Sequence, residues 1–542
     1  MGKISAYGTD KVLTTFSSRK ELWLAYFLAA YCAYYLIISL SIAWGYITDD
    51  AYISWFYARQ LAHGHGLHWQ NTEPPVEGYS NFLWVILAAL IIKLQWPLAF
   101  MVKWISIFSL GAGLIFLYRL SRLFLSPLLA MLPVFVFSHY QGVVWWTASG
   151  LESAFFCALS LLFIWQGAAA LGYKVEYTPE TKPVKVSTGA WVTTNIVLLL
   201  LGLTRFEGIV WAIPLLFFIV CQVRKHGLHG FPQGRKTLYM WGMLSLCFFI
   251  LPYAVYFIWR VHYFGHWIPN SYRCKALVSG QIGIVDLDFL RVAIALIVAS
   301  VPAFFFSKDC RYLLLWLPSL LYGLMLWEAD PLLAYQLRLF LGPLALLSLL
   351  AVLGVYQFLH HFSSARWDLK LMTSFVIIIL TFAFIPGNNL NTLRAHVAEY
   401  QGRNQNRMMI ANILNTQATP GASILLDDCG IIPFNARPDL RFIDSQCLNN
   451  EALAQVIYSN DVTTYVDYLQ KQVKPEWVVM NKFSFTEHLN FLMDALAQKN
   501  FLKAYQLVAT LRSRAAPDDP LASVDHYLVY KRKESIHDAN KK

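Results

Sequence analysis

Long apolar runs recur along most of this chain, and they constrain its fold more than any other feature. The first run, Leu22 to Trp44, is long enough to cross a bilayer as one α-helix, which takes about 20 residues. Further runs follow at about 82–95, 99–118, 124–144, 151–171, 190–203, 208–223, 237–259, 288–306, 312–327, 333–358 and 371–386. With only 14% charged residues, against roughly 25% in soluble domains, the chain is predicted to be a polytopic α-helical membrane protein.

The net charge of +11 raises the question of a nucleic-acid partner. The basic residues, however, stand in small groups between apolar runs, which is the pattern of the positive-inside rule. The sequence therefore predicts a lipid bilayer, and no nucleic acid, as a partner. Residues 1–21 carry Lys3, Lys11, Arg19 and Lys20, and they are predicted to be a cytoplasmic N-terminal segment before an uncleaved anchor.

Basic groups and run lengths together predict the topology. The run at 82–95 would extend roughly 21 Å as a helix, against a hydrocarbon core of about 30 Å. It is therefore predicted to be short or half-inserted, so that the later basic groups fall inside. This gives about eleven full crossings, with everything after Pro386 on the outer face. The alternative has about twelve crossings and places Arg119 outside.

Three regions follow from these patterns. Residues 22–386 are predicted to be a transmembrane domain whose first outer loop is 45–81, and 387–542 a compact α/β domain, here termed the cap. In the cap, a helix is predicted at about 392–416, further helical patterns at 449–472 and 485–499, and strands at Ser423–Asp427, Arg441–Asp444, Trp477–Met480, Tyr505–Leu511 and Tyr527–Lys531. The sequence contains no P-loop and no dinucleotide-binding glycine pattern.

In this topology, unusual polar residues of the membrane half fall on the outer side. They include Asp49, Asp50, Glu77, Glu152, Arg205, Glu207, Asn270, Lys275 and Arg338. An adjacent acidic pair directly after a crossing is costly, because burial raises the pKa of each carboxyl and the two charges repel. The pair is therefore a candidate functional site. The alternative is that Asp49 and Asp50 merely cap the next helix and face water.

These residue types suit an amphipathic substrate that carries a phosphate. Buried Arg and Lys side chains bind phosphate or pyrophosphate, Arg through bidentate contacts and Lys as a point charge. A paired carboxylate can deprotonate an attacking hydroxyl or hold a divalent cation. A lipid-linked phosphosugar meets these demands.

Six short motifs carry a resemblance to a known family. They are Asp49-Asp50-Ala-Tyr-Ile, Gly64-His65-Gly66-Leu67, Glu77-Gly78-Tyr79-Ser80-Asn81-Phe-Leu-Trp84, Ser149-Gly-Leu-Glu152, Thr204-Arg-Phe-Glu-Gly208 and Trp267-Ile-Pro-Asn270. In this order they resemble the C-type (GT-C) glycosyltransferase superfamily, and more narrowly its branch of mycobacterial cell-wall arabinofuranosyltransferases with a terminal periplasmic cap. The resemblance runs from about residue 22 to Asp427-Asp-Cys-Gly430 and Phe442-Ile-Asp444 of the cap.

The resemblance implies an inverting transferase that takes a sugar from a polyprenyl phosphate on the outer leaflet. Residues 22–386 would be the catalytic domain, with Asp49 or Asp50 as the general base or a metal ligand. Glu77 and Glu152 would complete the acidic cluster. The donor and its phosphate would be bound by Arg205, Lys275, Arg338, Asn270, Glu207 and His65.

The resemblance also bears on cofactors, partners and location. A divalent cation, Mg²⁺, Mn²⁺ or Ca²⁺, is the one cofactor implied, with Asp49, Asp50 and Glu77 as its ligands, and a metal-independent reaction is the alternative. The acceptor would be a cell-envelope glycan, a glycolipid or lipopolysaccharide. In a bacterium the chain would lie in the inner (cytoplasmic) membrane with its N-terminus in the cytoplasm and the cap in the periplasm.

Two turns of the cap depart from the pattern of the resembled family. Cys429 stands where relatives are expected to have Ala, and Cys447 where they are expected to have Gly. Two cysteines arising in the two motif-bearing turns of one domain favour a Cys429–Cys447 disulfide in an oxidising compartment. Two reduced cysteines are the alternative.

Two functions of other classes compete with a transferase. A transporter or flippase of lipid-linked sugars would place polar residues near the bilayer midplane, often within an inverted repeat, and the sequence shows neither feature. A non-catalytic membrane scaffold that presents the cap to a partner would account for 387–542 but not for the acidic pair.

Overall fold

We analysed the protein in a computed structural model. The structure describes residues 19–70, 74–173, 186–230, 234–277, 284–307, 309–325, 335–362, 368–385, 389–453, 462–482, 500–512 and 526–533. The predicted N-terminal segment 1–21 therefore lies almost entirely outside the described residues, and so does the predicted helical stretch 485–499.

The chain forms two compact units, each built from three stretches of sequence. The first unit comprises residues 1–44, 102–258 and 281–390, and the second comprises 45–101, 259–280 and 391–542. The first loop, the segment around Asn270 and the C-terminal part thus belong to one compact body. The division of the chain into domains at 22–386 and 387–542 stays a prediction.

The first unit is helical throughout the part that the structure describes. Its helices are Arg19–Ala43, Leu98–Ser121, Pro127–His139, Gln141–Ala148, Ser153–Ala170, Thr188–Thr204, Phe206–Trp211, Ala212–Gly230, Gly234–Ser245, Leu246–Ile250, Leu251–Phe264, Ile284–Phe306, Cys310–Tyr312, Leu313–Met325, Tyr335–Phe340, Leu341–Phe362 and Leu369–Phe384. Two of these helices continue into the second unit, to which residues 98–101 and 259–264 belong. Helix Leu341–Phe362 lies in the core, where it packs against Ile284–Phe306, Leu313–Met325 and Pro127–His139. All residues from 341 to 356 of this helix are buried and most of them are aliphatic, so burial of apolar surface holds this unit together.

Six described helices are long and apolar enough to cross a membrane, and a seventh arises if one bent pair counts as a span. The six are Arg19–Ala43, Leu98–Ser121, Ser153–Ala170, Phe206–Arg224, Gly234–Phe264 and Leu337–Phe362. The pair Pro127–His139 and Gln141–Ala148 is bent by 64°, with Tyr140 extended at the break. Shorter apolar helices occur at Phe82–Lys93, Thr188–Thr204, Ala293–Phe306, Cys310–Met325 and Leu369–Phe384.

Every predicted apolar run contains a helix, which confirms the α-helical membrane architecture in its coarse form. The predicted short run at 82–95 is a helix of 12 residues, Phe82–Lys93, too short to span about 30 Å of hydrocarbon unaided. The number of crossings and the orientation stay predictions.

The second unit combines helices with one mixed sheet. Its helices are Asp49–Ala62, Phe82–Lys93, Asn270–Leu277, Leu390–Gln417, Ile431–Asn435, Val462–Tyr468, Leu469–Val473 and Phe501–Ala504. The strands are β1 (Ser423–Leu426), β2 (Arg441–Asp444), β3 (Trp477–Lys482), β4 (Tyr505–Arg512) and β5 (His526–Arg532). All five predicted strands and the predicted helix at 392–416 are confirmed, while the pattern at 449–472 is a helix in its second half and lies partly outside the described residues at 454–461.

The sheet has the order β2-β1-β3-β5-β4, and β1 is parallel to both of its neighbours. Strand β5 runs antiparallel to β3 and β4. Because β1 has parallel strands on both sides, the carboxyl ends of β1, β2 and β3 meet at a topological switch point, where open α/β sheets usually bind ligands. In this chain those ends carry Asp427, Asp444 and Asn481.

Candidate active site

Asp49 begins the first helix after the N-terminal span, and its carboxyl group is buried. Thr48 is extended at the N-cap, and helix Asp49–Ala62 follows. The side chain of Asp49 turns to the C-terminal segment, where Oδ2 accepts from the N–H of Gly430 at 3.0 Å and Oδ1 from that of Ile431 at 2.8 Å. Burial raises the pKa of Asp49 to about 6, although the Arg407 guanidinium 3.5 Å away favours the charged form.

Asp50 differs from its neighbour because it is exposed. Both residues lie in the first turn of the helix, where a negative charge is favourable beside the helix dipole. The alternative in which both carboxylates face water is therefore wrong for Asp49, whose residue is 6% exposed. The pair therefore combines one buried carboxylate with one residue that is exposed to solvent.

Glu77 is paired with a residue that the sequence analysis did not single out. The guanidinium of Arg260 donates from Nε to both carboxylate oxygens of Glu77, at 3.0 and 2.8 Å, and Nη2 lies 2.5 Å from Oε2. Both residues are buried, and Arg260 also donates to the carbonyl of Trp267 at 3.0 Å. The available signal was a lone Arg directly after the apolar run 237–259.

The predicted cation site is not assembled. Asp49, Asp50 and Glu77 do not come together as ligands, because Glu77 is engaged by Arg260 and Asp49 by Arg407 and two backbone N–H groups. Among the described residues, no group of three or more His, Cys, Asp and Glu side chains is arranged to hold a metal ion. This set of three residues therefore does not fit a divalent cation.

The other predicted donor-binding residues of the second unit, Asn270, His65 and Lys275, have different surroundings. Asn270 is buried, and its amide donates to the carbonyls of Cys447 at 2.7 Å and Leu448 at 2.9 Å. His65 is exposed, with Nδ1 at 3.0 Å from Oε1 of Gln60. Lys275 lies in helix Asn270–Leu277, but its side chain is outside the described part. The donor-binding roles of these residues stay predictions.

The predicted Cys429–Cys447 disulfide is wrong, because Cys447 is bonded to Cys274. The reason lies in helix Asn270–Leu277: the bonds from Asn270 hold the turn at Cys447, and Cys274 stands one helical turn later on the same face. Cys429 is a free, buried thiol. Burial and the neighbouring Asp444 raise its pKa well above the ordinary value, so the thiol stays protonated.

Thiol counting distinguishes the two pairings. The protein has eight cysteines and six are free, so we expect six labelled thiols in denaturant without reductant, measured by mass spectrometry after alkylation. The variants Cys274→Ser and Cys447→Ser should each release one further thiol, whereas Cys429→Ser should only remove one. A thiol released in Cys429→Ser would contradict the Cys274–Cys447 bond.

Four charged side chains of the first unit form a second cluster. Glu152 is fully buried just before helix Ser153–Ala170, and Nη1 of Arg205 lies 2.5 Å from its carboxylate. Arg205 also pairs with Glu207, and Nη2 of Arg338 is 3.8 Å from Glu152. The structure thus brings four predicted residues together, with Glu152, Glu207 and Arg205 buried and Arg338 of intermediate exposure.

Local backbone structure positions Arg205 within this cluster. Arg205 lies between helix Thr188–Thr204 and the short 3-10 helix Phe206–Trp211, and its backbone is extended, with φ −149° and ψ 141°. Gly208 permits this sharp turn, because a Cβ there would collide with the backbone carbonyl of Leu201. The Arg205 guanidinium is thereby held between Glu152 and Glu207, and its predicted contact with a lipid phosphate stays a prediction.

The buried carboxyl group of Asp427, at the carboxyl end of β1, should make the folding stability depend on pH. Its carboxylate accepts from the hydroxyl of Ser445 and from the N–H of Asn481 at 3.3 Å, and burial raises its pKa to about 7. Because this pKa is above that of the unfolded chain, the native state binds the proton more tightly, and stability falls as pH rises from about 4 through about 7.

We therefore expect Asp427→Asn to raise the thermal unfolding midpoint at pH 8, by an amount equivalent to about 4 kcal/mol. The gain over wild type should shrink towards pH 5, as measured by thermal denaturation in detergent. Asp467→Asn is the control, because Asp467 is paired with Lys471 at the surface. A gain that is constant from pH 5 to pH 8 would contradict the assignment.

Comparison with family models gives a match, which lies in the C-terminal part of the chain. A family model described as a domain of unknown function (DUF8728) matches residues 393–530. A search of curated proteins gives no significant match to the chain.

Solved structures give a match over the whole chain. ArnT from Cupriavidus metallidurans, bound to undecaprenyl phosphate, superposes with a TM-score of 0.56 at 11% identity and covers 94% of this chain and 98% of its own. The archaeal oligosaccharyltransferase AglB from Archaeoglobus fulgidus, in complex with an inhibitory peptide and a dolichol-phosphate, gives 0.54 at 12% identity over 96% and 75%. The chain has the GT-C glycosyltransferase fold.

This result confirms the GT-C fold that the resemblance in the motifs implies. For the narrower branch, the mycobacterial arabinofuranosyltransferase AftD gives a TM-score of 0.46 at 13% identity, covering 97% of this chain and 42% of its own. The likeness to this branch stays a prediction.

Proposed function

We propose that this protein is a membrane glycosyltransferase that moves a sugar from a polyprenyl-phosphate donor to a cell-envelope glycan, glycolipid or lipopolysaccharide. Support comes from the shared GT-C fold, since ArnT was solved with undecaprenyl phosphate and AglB with a dolichol-phosphate. The observation that carries the proposal is the acidic pair after the first span, in which Asp49 is anchored and Asp50 is exposed.

In the proposed reaction Asp50 is the general base. Its carboxylate accepts the proton of an acceptor hydroxyl, whose oxygen attacks the anomeric carbon of the sugar. The bond between that carbon and the phosphate oxygen breaks, and the electron pair leaves with the polyprenyl phosphate. Asp49 is less suited to this role, because it is buried and both of its oxygens accept backbone N–H groups.

For the first unit we propose that Arg205 and Arg338 bind a lipid phosphate. Both guanidinium groups lie beside the carboxylate of Glu152, which restricts their orientations. A guanidinium has five N–H donors in a planar fork, so one Arg side chain can bind a carboxylate and a phosphate together. Location in a bacterial inner membrane, with the sheet-containing part outside, belongs to the same proposal.

The test is turnover of a panel of radiolabelled polyprenyl-phosphate sugars by purified protein in detergent, with membrane glycan extracts as acceptors and with or without EDTA. We expect one donor to be consumed with release of polyprenyl phosphate. Inhibition by EDTA would indicate a cation held by ligands other than the Asp49, Asp50 and Glu77 set. Proteoliposomes that translocate an intact lipid-linked sugar, with no donor cleaved in detergent, would overturn the transferase and favour a flippase.

A further inference from the structure

One face of helix Leu390–Gln417 lies along the residues that precede the acidic pair. Tyr400, Asn404 and Arg407 are spaced by four and three residues, so they share this face. The hydroxyl of Tyr400 lies 3.1 Å from Oγ1 of Thr48 and accepts from the N–H of Asp49 at 3.4 Å. Asn404 donates to the carbonyl of Ile47 at 2.8 Å. The helix therefore contacts the backbone on which the acidic pair begins.

Arg407 links that helix to the carboxylate of Asp49. Its guanidinium is buried, lies 3.5 Å from Asp49 and donates to Oδ2 of Asp428 at 2.9 Å. It also donates from Nη1 to Asn404 at 2.7 Å. One buried cation thus serves two acids, and each contact restricts where the other can lie.

Asp428 is held in turn by the sheet. The hydroxyl of Tyr527, in β5, donates to its Oδ2 at 2.5 Å, and the amide of Asn481, in β3, donates at 3.3 Å. These strands form ladder hydrogen bonds along their full length. Through Asp428, the position of Arg407 is therefore fixed by residues of the sheet and not by a loop alone.

The turn after β1 completes the enclosure of Asp49. The N–H groups of Gly430 and Ile431 donate to its two oxygens. A Cβ on Gly430 would collide with the backbone carbonyl of Asp49, so a glycine is needed for this approach. Asp49 thus occupies the switch point of the sheet, where a ligand lies in other open α/β folds.

We propose that the C-terminal segment 391–542 is a positioning domain for the reaction, in which Arg407, Gly430 and Asp49 set the place of Asp50 on the first helical turn. This rests on the proposed function for its catalytic consequence. Asp49, Arg407 and Gly430 are positioning residues, because they act through the helix that carries Asp50. The proposal also assigns a role to the DUF8728 region at residues 393–530.

The experiment compares Arg407→Gln, Gly430→Ala, Asp49→Asn and the double variant Asp49→Asn/Arg407→Gln with wild type. The first measurement is the rate of amide hydrogen exchange in the peptide that covers residues 46–57, because it does not require transferase activity. We expect faster exchange in Arg407→Gln and Gly430→Ala, with peptides of the first unit unchanged. Lys471→Gln is the control, because Lys471 pairs at the surface with Asp467 in the same segment.

The second measurement is turnover of the polyprenyl-phosphate sugar that the wild-type protein consumes. We expect Arg407→Gln and Asp49→Asn each to lower kcat about 10- to 100-fold with little change in KM. The double variant should fall no further than the lower single, since both changes act through one contact. Arg407→Lys should recover part of the loss by keeping the positive charge.

Three results separate the possibilities. Unchanged exchange at 46–57 in both Arg407→Gln and Gly430→Ala would overturn the positioning role. Losses of kcat that multiply in the double variant would also overturn it, because independent destabilisation behaves in that way. Faster exchange at 46–57 in Arg407→Gln and Gly430→Ala, together with a wild-type protein that consumes no donor, would support the positioning of the helix and reject the proposed transferase.

Discussion

Asp50→Asn is expected to lower kcat by about 10²- to 10⁴-fold, which is the usual contribution of a general base. The amide has nearly the shape of the carboxylate but cannot accept the proton of the acceptor hydroxyl. Because Asp50 is exposed, the substitution should leave the thermal midpoint and the affinity for the donor close to wild type. The measurement is steady-state turnover of the consumed donor together with donor binding by the same preparation.

The comparison with Asp49→Asn makes this result informative. Asn at position 49 would place an N–H₂ group against the N–H of Gly430 or Ile431, so we expect a lower thermal midpoint and a smaller loss of kcat. If Asp49→Asn abolishes turnover while Asp50→Asn keeps more than about a tenth of it, then the general base is Asp49. The roles of the two carboxylates would then be exchanged.

Arg260→Met is expected to be the most destabilising single change in the second unit, by about 3–5 kcal/mol. It leaves Glu77 buried at 4% exposure without its bidentate partner, and removes a donor from the carbonyl of Trp267. The double variant Glu77→Gln/Arg260→Met should recover part of the loss, because it removes the stranded charge. The measurement is thermal unfolding of the purified variants in detergent.

Arg273→Met is the matched control for that measurement. Arg273 lies 3.2 Å from Glu451, but both side chains are partly exposed, at 19% and 25%. Partly exposed pairs of this kind contribute about 0–1 kcal/mol. Equal midpoints for Arg260→Met and Arg273→Met would show that the buried Glu77–Arg260 pair does not hold the second unit together.

The positions of helices and strands could be predicted from the sequence because their signals are local. Apolar runs indicate the helices, and all five strands of the sheet were visible as short β-type runs between turns. The order and parallel pairing of those strands could not be read in the same way, since β1 pairs with strands that follow it after very different intervals. The candidate site could be predicted only in part: Asp49, Asp50, Glu152 and Arg205 were singled out, whereas Arg260 and Arg407 were missed.

By itself, the sequence determined that this is an α-helical membrane chain with a polar α/β part and an acidic pair after its first crossing. Only the tertiary structure decided that Glu77 pairs with Arg260, that Cys447 bonds to Cys274 and that Asp49 is enclosed while Asp50 is exposed. Each of these depends on residues that are far apart in the chain. Hydrophobic periodicity records which side of an element is buried, but the partner of a buried charge depends on how distant segments pack.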